Sequence, residues 1–159
     1  MNWLGTVLVS LAAARNQNRK ALIVAVHHPP YSAAGHGGSP ALLASLDAAC
    51  KKAGIMPDAV LSGHAHNYQR YTRRVNLTGQ AMEIPFLVAG CGGHNDLPVP
   101  LANGQVQGDH SFDKAMRGYG YLTVTVSPHR LQIDMTHVTA SGATPYDTVA
   151  VDLDTHRPV

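Results

Sequence analysis

Charge is scarce in this chain. Of its 159 residues only 14% are Asp, Glu, Lys or Arg, and the net charge is +2 with histidine neutral. That balance excludes the basic footprint of a nucleic-acid surface, and a hydrophobic content of 45% excludes a disordered chain. There are two cysteines, Cys50 and Cys91, without CxxC spacing. They make no redox motif and no disulfide scaffold; a single disulfide stays open, and the plainer reading is two small residues of the fold. The apolar start from Trp3 to Ala14 lacks the basic n-region of a signal peptide and is too short to cross a membrane. Trp3, Leu4, Val7, Leu8 and Leu11 share one helical face, so the expectation is a packed amphipathic helix ending in the polar 15–20 segment. No repeat, linker or low-complexity tract interrupts the chain, and its length fits a single domain over residues 1–159.

What the chain has in excess is histidine, ten in all. Several stand where apolar runs stop. Ala21 to Val26 is a continuous β-branched run, the pattern of a strand buried on both faces, and it ends in His27-His28-Pro29-Pro30-Tyr31-Ser32. Proline cannot continue a central strand, so these histidines belong to a strand end. A second strand, Ala59 to Leu61, breaks at Gly63 and leads into His64-Ala65-His66. In extended chain, i and i+2 point to one side, so His64 and His66 are expected to aim into one space. In open α/β sheets, ligands gather outside the carboxyl ends of strands. Neutral imidazoles gathered there suit zinc, iron, copper or nickel. Metal-assisted hydrolysis is the natural reaction class, because a metal lowers the pKa of bound water and shields anionic oxygens.

Other elements follow from local signals. Ser39 is a candidate N-cap with Pro40 at the first helical position, and the helix runs to Ala53 with Gly54 closing it. The glycine-rich loop before it carries His36. Residues 67–75 alternate like an exposed strand, with Arg70, Arg73 and Arg74 on a solvated face. Ile84 to Ala89 reads as a buried strand, 90–118 as irregular, and the remainder from Tyr119 as a β-meander.

His27-His28-Pro29-Pro30-Tyr31-Ser32, then Gly63-His64-Ala65-His66, then Val88-Ala89-Gly90-Cys91-Gly92-Gly93-His94 resemble, in order and spacing, the C-terminal portion of a calcineurin-like metallophosphoesterase of the purple acid phosphatase branch. The resemblance implies an α/β fold with mixed sheets, part of a β-sandwich flanked by helices and lacking its N-terminal half. It implies His27 and His64 as ligands of one metal and His66 as a ligand of another. It implies His36 as the catalytic group that contacts the phosphate or protonates the leaving group, with His28 and His94 on the substrate side. His110, His129, His137 and His156 read as ordinary residues.

The family's remaining ligand motifs are an Asp-x-His, a Gly-Asp and a Gly-Asn-His, and none stands among the 26 residues before His27. Gly108-Asp109-His110 and Asp154-Thr155-His156 are look-alikes out of order. The expectation is therefore an incomplete dinuclear site for zinc, iron or manganese. The implied activity is phosphate mono- or diester hydrolysis, weak or lost in this chain alone. A second copy or a partner chain is expected to cover an exposed sheet edge, with no nucleic-acid or membrane partner. The alternative is a metal-binding or oligomerisation module without catalysis.

Overall fold

The computed structural model describes residues 2–18 and 20–159. Helix α1 spans Asn2–Asn18, strand β1 Ile23–Val26, helix α2 Pro40–Ala53 and strand β2 Ala59–Ser62. Then come β3 (Tyr68–Val75), β4 (Met82–Ala89), β5 (Val106–Gln107) and β6 (His110–Met116). The chain ends with β7 (Tyr119–Val126), β8 (Arg130–Thr139), β9 (Gly142–Asp152) and β10 (Arg157–Pro158). The result is a mixed α/β arrangement of two helices and two sheets among the described residues.

The first sheet has strand order β1-β2-β4-β3-β6-β5, with β1, β2 and β4 parallel and the others antiparallel. Helix α2 makes the crossover that a parallel β1–β2 pair requires. Its ends are as the sequence predicts: Ser39 Oγ accepts from the Leu42 N–H at 3.2 Å, and Gly54 closes the helix with φ 69°. The second sheet, β10-β9-β8-β7, is an antiparallel meander.

The layers are built by period-two alternation. On one face of the first sheet, Val24, Val60, Ile84, Phe86 and Val88 pack under Leu8 of α1 and Leu46 and Cys50 of α2. On the other face, Ala59, Tyr68 and Leu87 meet Leu131, Ile133, Met135, Val149 and Val151 of the second sheet. β4 therefore lies between two cores, which is why it reads as a continuous apolar run. Ile84 and Leu87 are at most 1% exposed, so truncating either to alanine costs about 2–5 kcal/mol.

Three expectations change. β3 is no exposed strand: it lies between β4 and β6, with Tyr68, Gln69, Tyr71, Thr72 and Arg73 buried. Two of its three arginines are paired and withdrawn from solvent, Arg73 with Asp47 and Asp109 and Arg70 with Asp147, while Arg74 stays exposed as expected. The 90–118 segment is not wholly irregular, because Asp109 and its neighbours lead into β6, which β3 needs as an antiparallel partner. Helix α1 forms, but on a different face. Leu4, Leu8 and Ala12 pack inward at i, i+4 spacing, while Trp3 is 75% and Leu11 40% exposed. The edge strand β7 overhangs the core. Val124 and Val126 pair with Ile133 and Leu131 on the inner face, yet both remain exposed.

Candidate metal centre

The parallel pairing of β1 with β2 sets the site. Val26 pairs with Ser62, so the residues that follow each strand leave the sheet side by side. The Gly63 N–H donates to the His27 carbonyl at 3.1 Å and ties the two exits together. Pro29 and Pro30 end β1, both buried, and leave His27 and His28 exposed at the rim. Past Gly63 the chain does not stay extended. His64 takes φ 65°, a left-handed conformation that costs a non-glycine residue, and the Ala65 and Asn67 N–H groups fold back onto the carbonyls two residues earlier. Ala65 turns wholly inward. Gly90, at the end of β4, must lack a side chain here, because a Cβ would fall on the Ala65 carbonyl.

This geometry brings His27, His28 and His64 together, with one ring nitrogen of each within 4.8 Å of the others. His64 Nδ1 lies 3.2 Å from His27 Nε2. His36 reaches the cluster from its loop, its ring 4.4 Å from that of His64 and 5.4 Å from that of His66. His66 does not join the tight group. The turn at His64 rotates it into a neighbouring lobe, where its ring lies 4.4 Å from that of His94. The same-side expectation for His64 and His66 assumed extended backbone, and the left-handed residue removes that assumption. All six histidines still line up edge to edge, with His36 as the bridge between lobes.

Partial loss of water around His64, and then the proximity of His28, His36, His27 and His66, hold its pKa below the ordinary histidine value. A neutral imidazole is the metal-binding form. His66 adds a second sign: its Nδ1 is buried without any hydrogen-bond partner. Orphaned buried polar atoms are uncommon, and a metal is one of the groups that satisfies a ring nitrogen. An all-imidazole donor set fits one borderline transition metal with an open position. No carboxylate joins the cluster among the described residues, so it does not fit a carboxylate-bridged pair of metals.

A buried amide pair holds the two loops in place, and sequence reasoning missed it. Gln69 and Asn67 are both fully buried on the β3 side of the site. Gln69 Nε2 donates to Asn67 Oδ1 at 2.7 Å and to the Ala34 carbonyl at 3.1 Å, while its Oε1 accepts from the Ala33 N–H at 2.8 Å. Those bonds fasten the loop that carries His36. Asn67 Nδ2 donates to the Leu97 and Pro98 carbonyls at 3.4 Å, and the Leu97 N–H donates to the His66 carbonyl at 2.8 Å. Those bonds fasten the loop that carries His94. A buried amide in a strand that otherwise alternates apolar and cationic residues was the only available signal. Tyr68 points away from the cleft and donates to Asp147 at 2.8 Å.

No family model matches the chain. In sequence it is 28% identical over 131 residues to tartrate-resistant acid phosphatase type 5 of Oryctolagus cuniculus, a match covering 80% of this chain and 36% of the phosphatase. The chain thus spans little more than a third of the curated relative's length. Among solved structures, GAP50, the anchor in the inner membrane complex of Plasmodium, aligns at 18% identity over 96% of this chain and 38% of that one, with a TM-score of 0.41. The order of histidine-bearing strand ends and the sequence match agree: the chain bears a distant resemblance to tartrate-resistant acid phosphatase, of the purple acid phosphatase branch of the metallophosphoesterases.

Proposed function

We propose that residues 1–159 are the C-terminal portion of a metallophosphoesterase domain, whose histidine cluster binds a zinc, iron or manganese ion and serves hydrolysis of phosphate mono- or diesters. The observation that carries this reading is the convergence of His27, His28 and His64 at the ends of two parallel strands. These three would hold the metal, and His66 would offer its orphaned Nδ1 to the same or a second ion. The metal, when bound, supplies a water of lowered pKa and charge neutralisation for phosphate oxygens. His36 is exposed between the two lobes, within reach of a group seated there, and is assigned to hold or donate a proton to the departing oxygen. His94, beside His66 and away from the metal-holding trio, would orient the ester; His28, which the sequence put on the substrate side, is here counted with the metal-holding group.

The all-imidazole donor set favours a second reading: a metal-binding or assembly module without turnover, with β7 available to a second copy or partner chain. Both readings are tested by metal content per chain, on protein purified without chelator or histidine tag, together with hydrolysis of an aryl phosphate and a bis-aryl phosphate. Metal with turnover, both lost in His64→Ala, is the expected result for the hydrolase. Metal without turnover selects the module. No metal, after exposure to each of the three ions in turn, overturns both.

A further inference from the structure

A second concavity shares the 31–40 loop with the histidine row, yet none of those six histidines lines it. It encloses about 480 Å³, within the range of small-molecule sites. One wall is the loop itself, from Pro30 to Ala33 with Gly38 and Pro40; the floor is Tyr71, His110 and Phe112. Gly38 is obligatory at this wall, since a Cβ there would meet the Pro30 carbonyl at 2.7 Å. The other wall is a row of primary amides. Asn103, Gln105 and Gln107 all line the cavity, Gly104 turning the chain with φ 67° between the first two, while Val106 is 61% exposed. The row is held in place: Asn103 Oδ1 accepts from the Gln105 N–H at 3.0 Å, and the Gly104 N–H donates to the Phe112 carbonyl at 2.8 Å. The side-chain amides of Gln105 and Gln107 make no hydrogen bond among the described residues, so they are free to meet a ligand.

The lining chemistry selects the ligand. It contains no Asp, Glu, Lys or Arg among the described residues, so it offers no charge to a phosphate or a carboxylate. It offers no open pair of parallel rings to a flat base either. Tyr31 already stacks on His110 at 4.1 Å, and Tyr71 on Phe112 at 4.9 Å. What remains available are ring edges, the CH surfaces of Pro40 and Pro100, and the amide row. A neutral sugar ring matches that set: its axial C–H groups lie on apolar carbon and its hydroxyls pair with carboxamides, which donate and accept together. The wall does not need adjustment, because Tyr31 donates to Asp109 Oδ1 at 3.2 Å, and Asp109 in turn accepts from Arg73 Nε at 2.6 Å.

We propose that this cavity is a binding site for a neutral carbohydrate unit, independent of any metal at the histidine row. The experiment is a titration of the full chain, followed by amide NMR shifts, with cellobiose, maltose, lactose and N,N′-diacetylchitobiose, and with adenosine as the planar comparator. At least one disaccharide is expected to saturate, with Kd of order mM, moving the amides of Leu101, Gln105, Gln107 and His110. The double variant Gln105→Ala/Gln107→Ala removes two exposed side chains, and its unchanged circular dichroism would show an intact fold. It is expected to bind at least about tenfold more weakly, while cobalt binding at the histidine row stays unchanged. Three results would each overturn the assignment: no saturable shift with any disaccharide, undiminished binding in the double variant, or adenosine binding more tightly than every sugar.

Discussion

The contact most open to a quantitative test is the buried pair between α1 and β2. Asp58 has no solvent exposure, and Arg15 is 9% exposed. The guanidinium donates twice, Nη1 to Oδ2 at 2.6 Å and Nη2 to Oδ1 at 2.9 Å. The Leu22 N–H adds a bond at 2.8 Å, and His156 Nδ1 lies 2.8 Å from Oδ1. Arg15→Met would strand a carboxylate in the core, which costs about 3–5 kcal/mol. For a chain of this size the melting temperature would fall by roughly 6–20 °C. The loss is large against a typical domain stability of about 5–15 kcal/mol. Asp58→Asn keeps an acceptor for Leu22, so Arg15→Met/Asp58→Asn is expected to be less destabilised than the sum of its parts.

The pair also sets a pH dependence. Burial alone would raise the Asp58 pKa, but the hydrogen bonds from Arg15 and His156 and the Arg15 charge outweigh it and hold the carboxyl below its ordinary value. A folded pKa below the unfolded one stabilises the chain above the unfolded value, near about 4. That contribution is lost as the pH falls through the folded pKa. In Arg15→Met the cation is gone and burial governs, so the dependence inverts and mild acid narrows the gap to the parent. Urea unfolding followed by circular dichroism from pH 7 down to about pH 2 measures all of this. An Arg15→Met cost under about 1 kcal/mol, additive behaviour in the double variant, or parallel pH curves would refute the reasoning.

Other consequences follow from the site's supports. Gly90→Ala places a Cβ on the Ala65 carbonyl, so it is expected to displace the 63–66 turn and weaken cobalt binding at least about tenfold, read from the visible d–d bands. Gln69→Leu leaves the Ala33 N–H and the Tyr71 hydroxyl without their buried acceptor and should cost about 1–3 kcal/mol in urea unfolding. Cys50 and Cys91 are both free and buried, and burial raises both thiols, Cys50 to about 11 with Asp47 adding to the effect. Neither should react with a disulfide reagent at pH 8 until the chain is unfolded, when both should react.

Local chemistry was legible where it depends on adjacent residues. Pro29 and Pro30 stop β1, Ser39 and Pro40 start α2, and Gly54 closes it, and each acts through its own backbone. The apolar runs of β1, β2 and β4 announced strands with two covered faces, and their ends announced the histidines. Arg70 and Arg73 were misread because an arginine carries the same local signal whether it faces water or a carboxylate. Their partners Asp147, Asp47 and Asp109 lie 26 or more residues away. The β6 strand was hidden for a related reason, since His110 to Met116 mixes polar and apolar residues and becomes a strand by pairing with β3. Helix α1 offered two apolar faces, and periodicity cannot say which one a sheet will cover.

The sequence by itself determined that histidines gather at the ends of buried strands, and so that a metal centre is the candidate site. The tertiary structure decided its membership. A left-handed residue at His64 placed His28 with His27 and His64, and sent His66 to a second lobe beside His94. That division depends on backbone dihedrals and on the Gly90 contact, neither of which a residue spacing encodes. The loops are held by the Asn67–Gln69 pair because buried amides must find partners, and only the folded chain brings those partners within hydrogen-bonding distance.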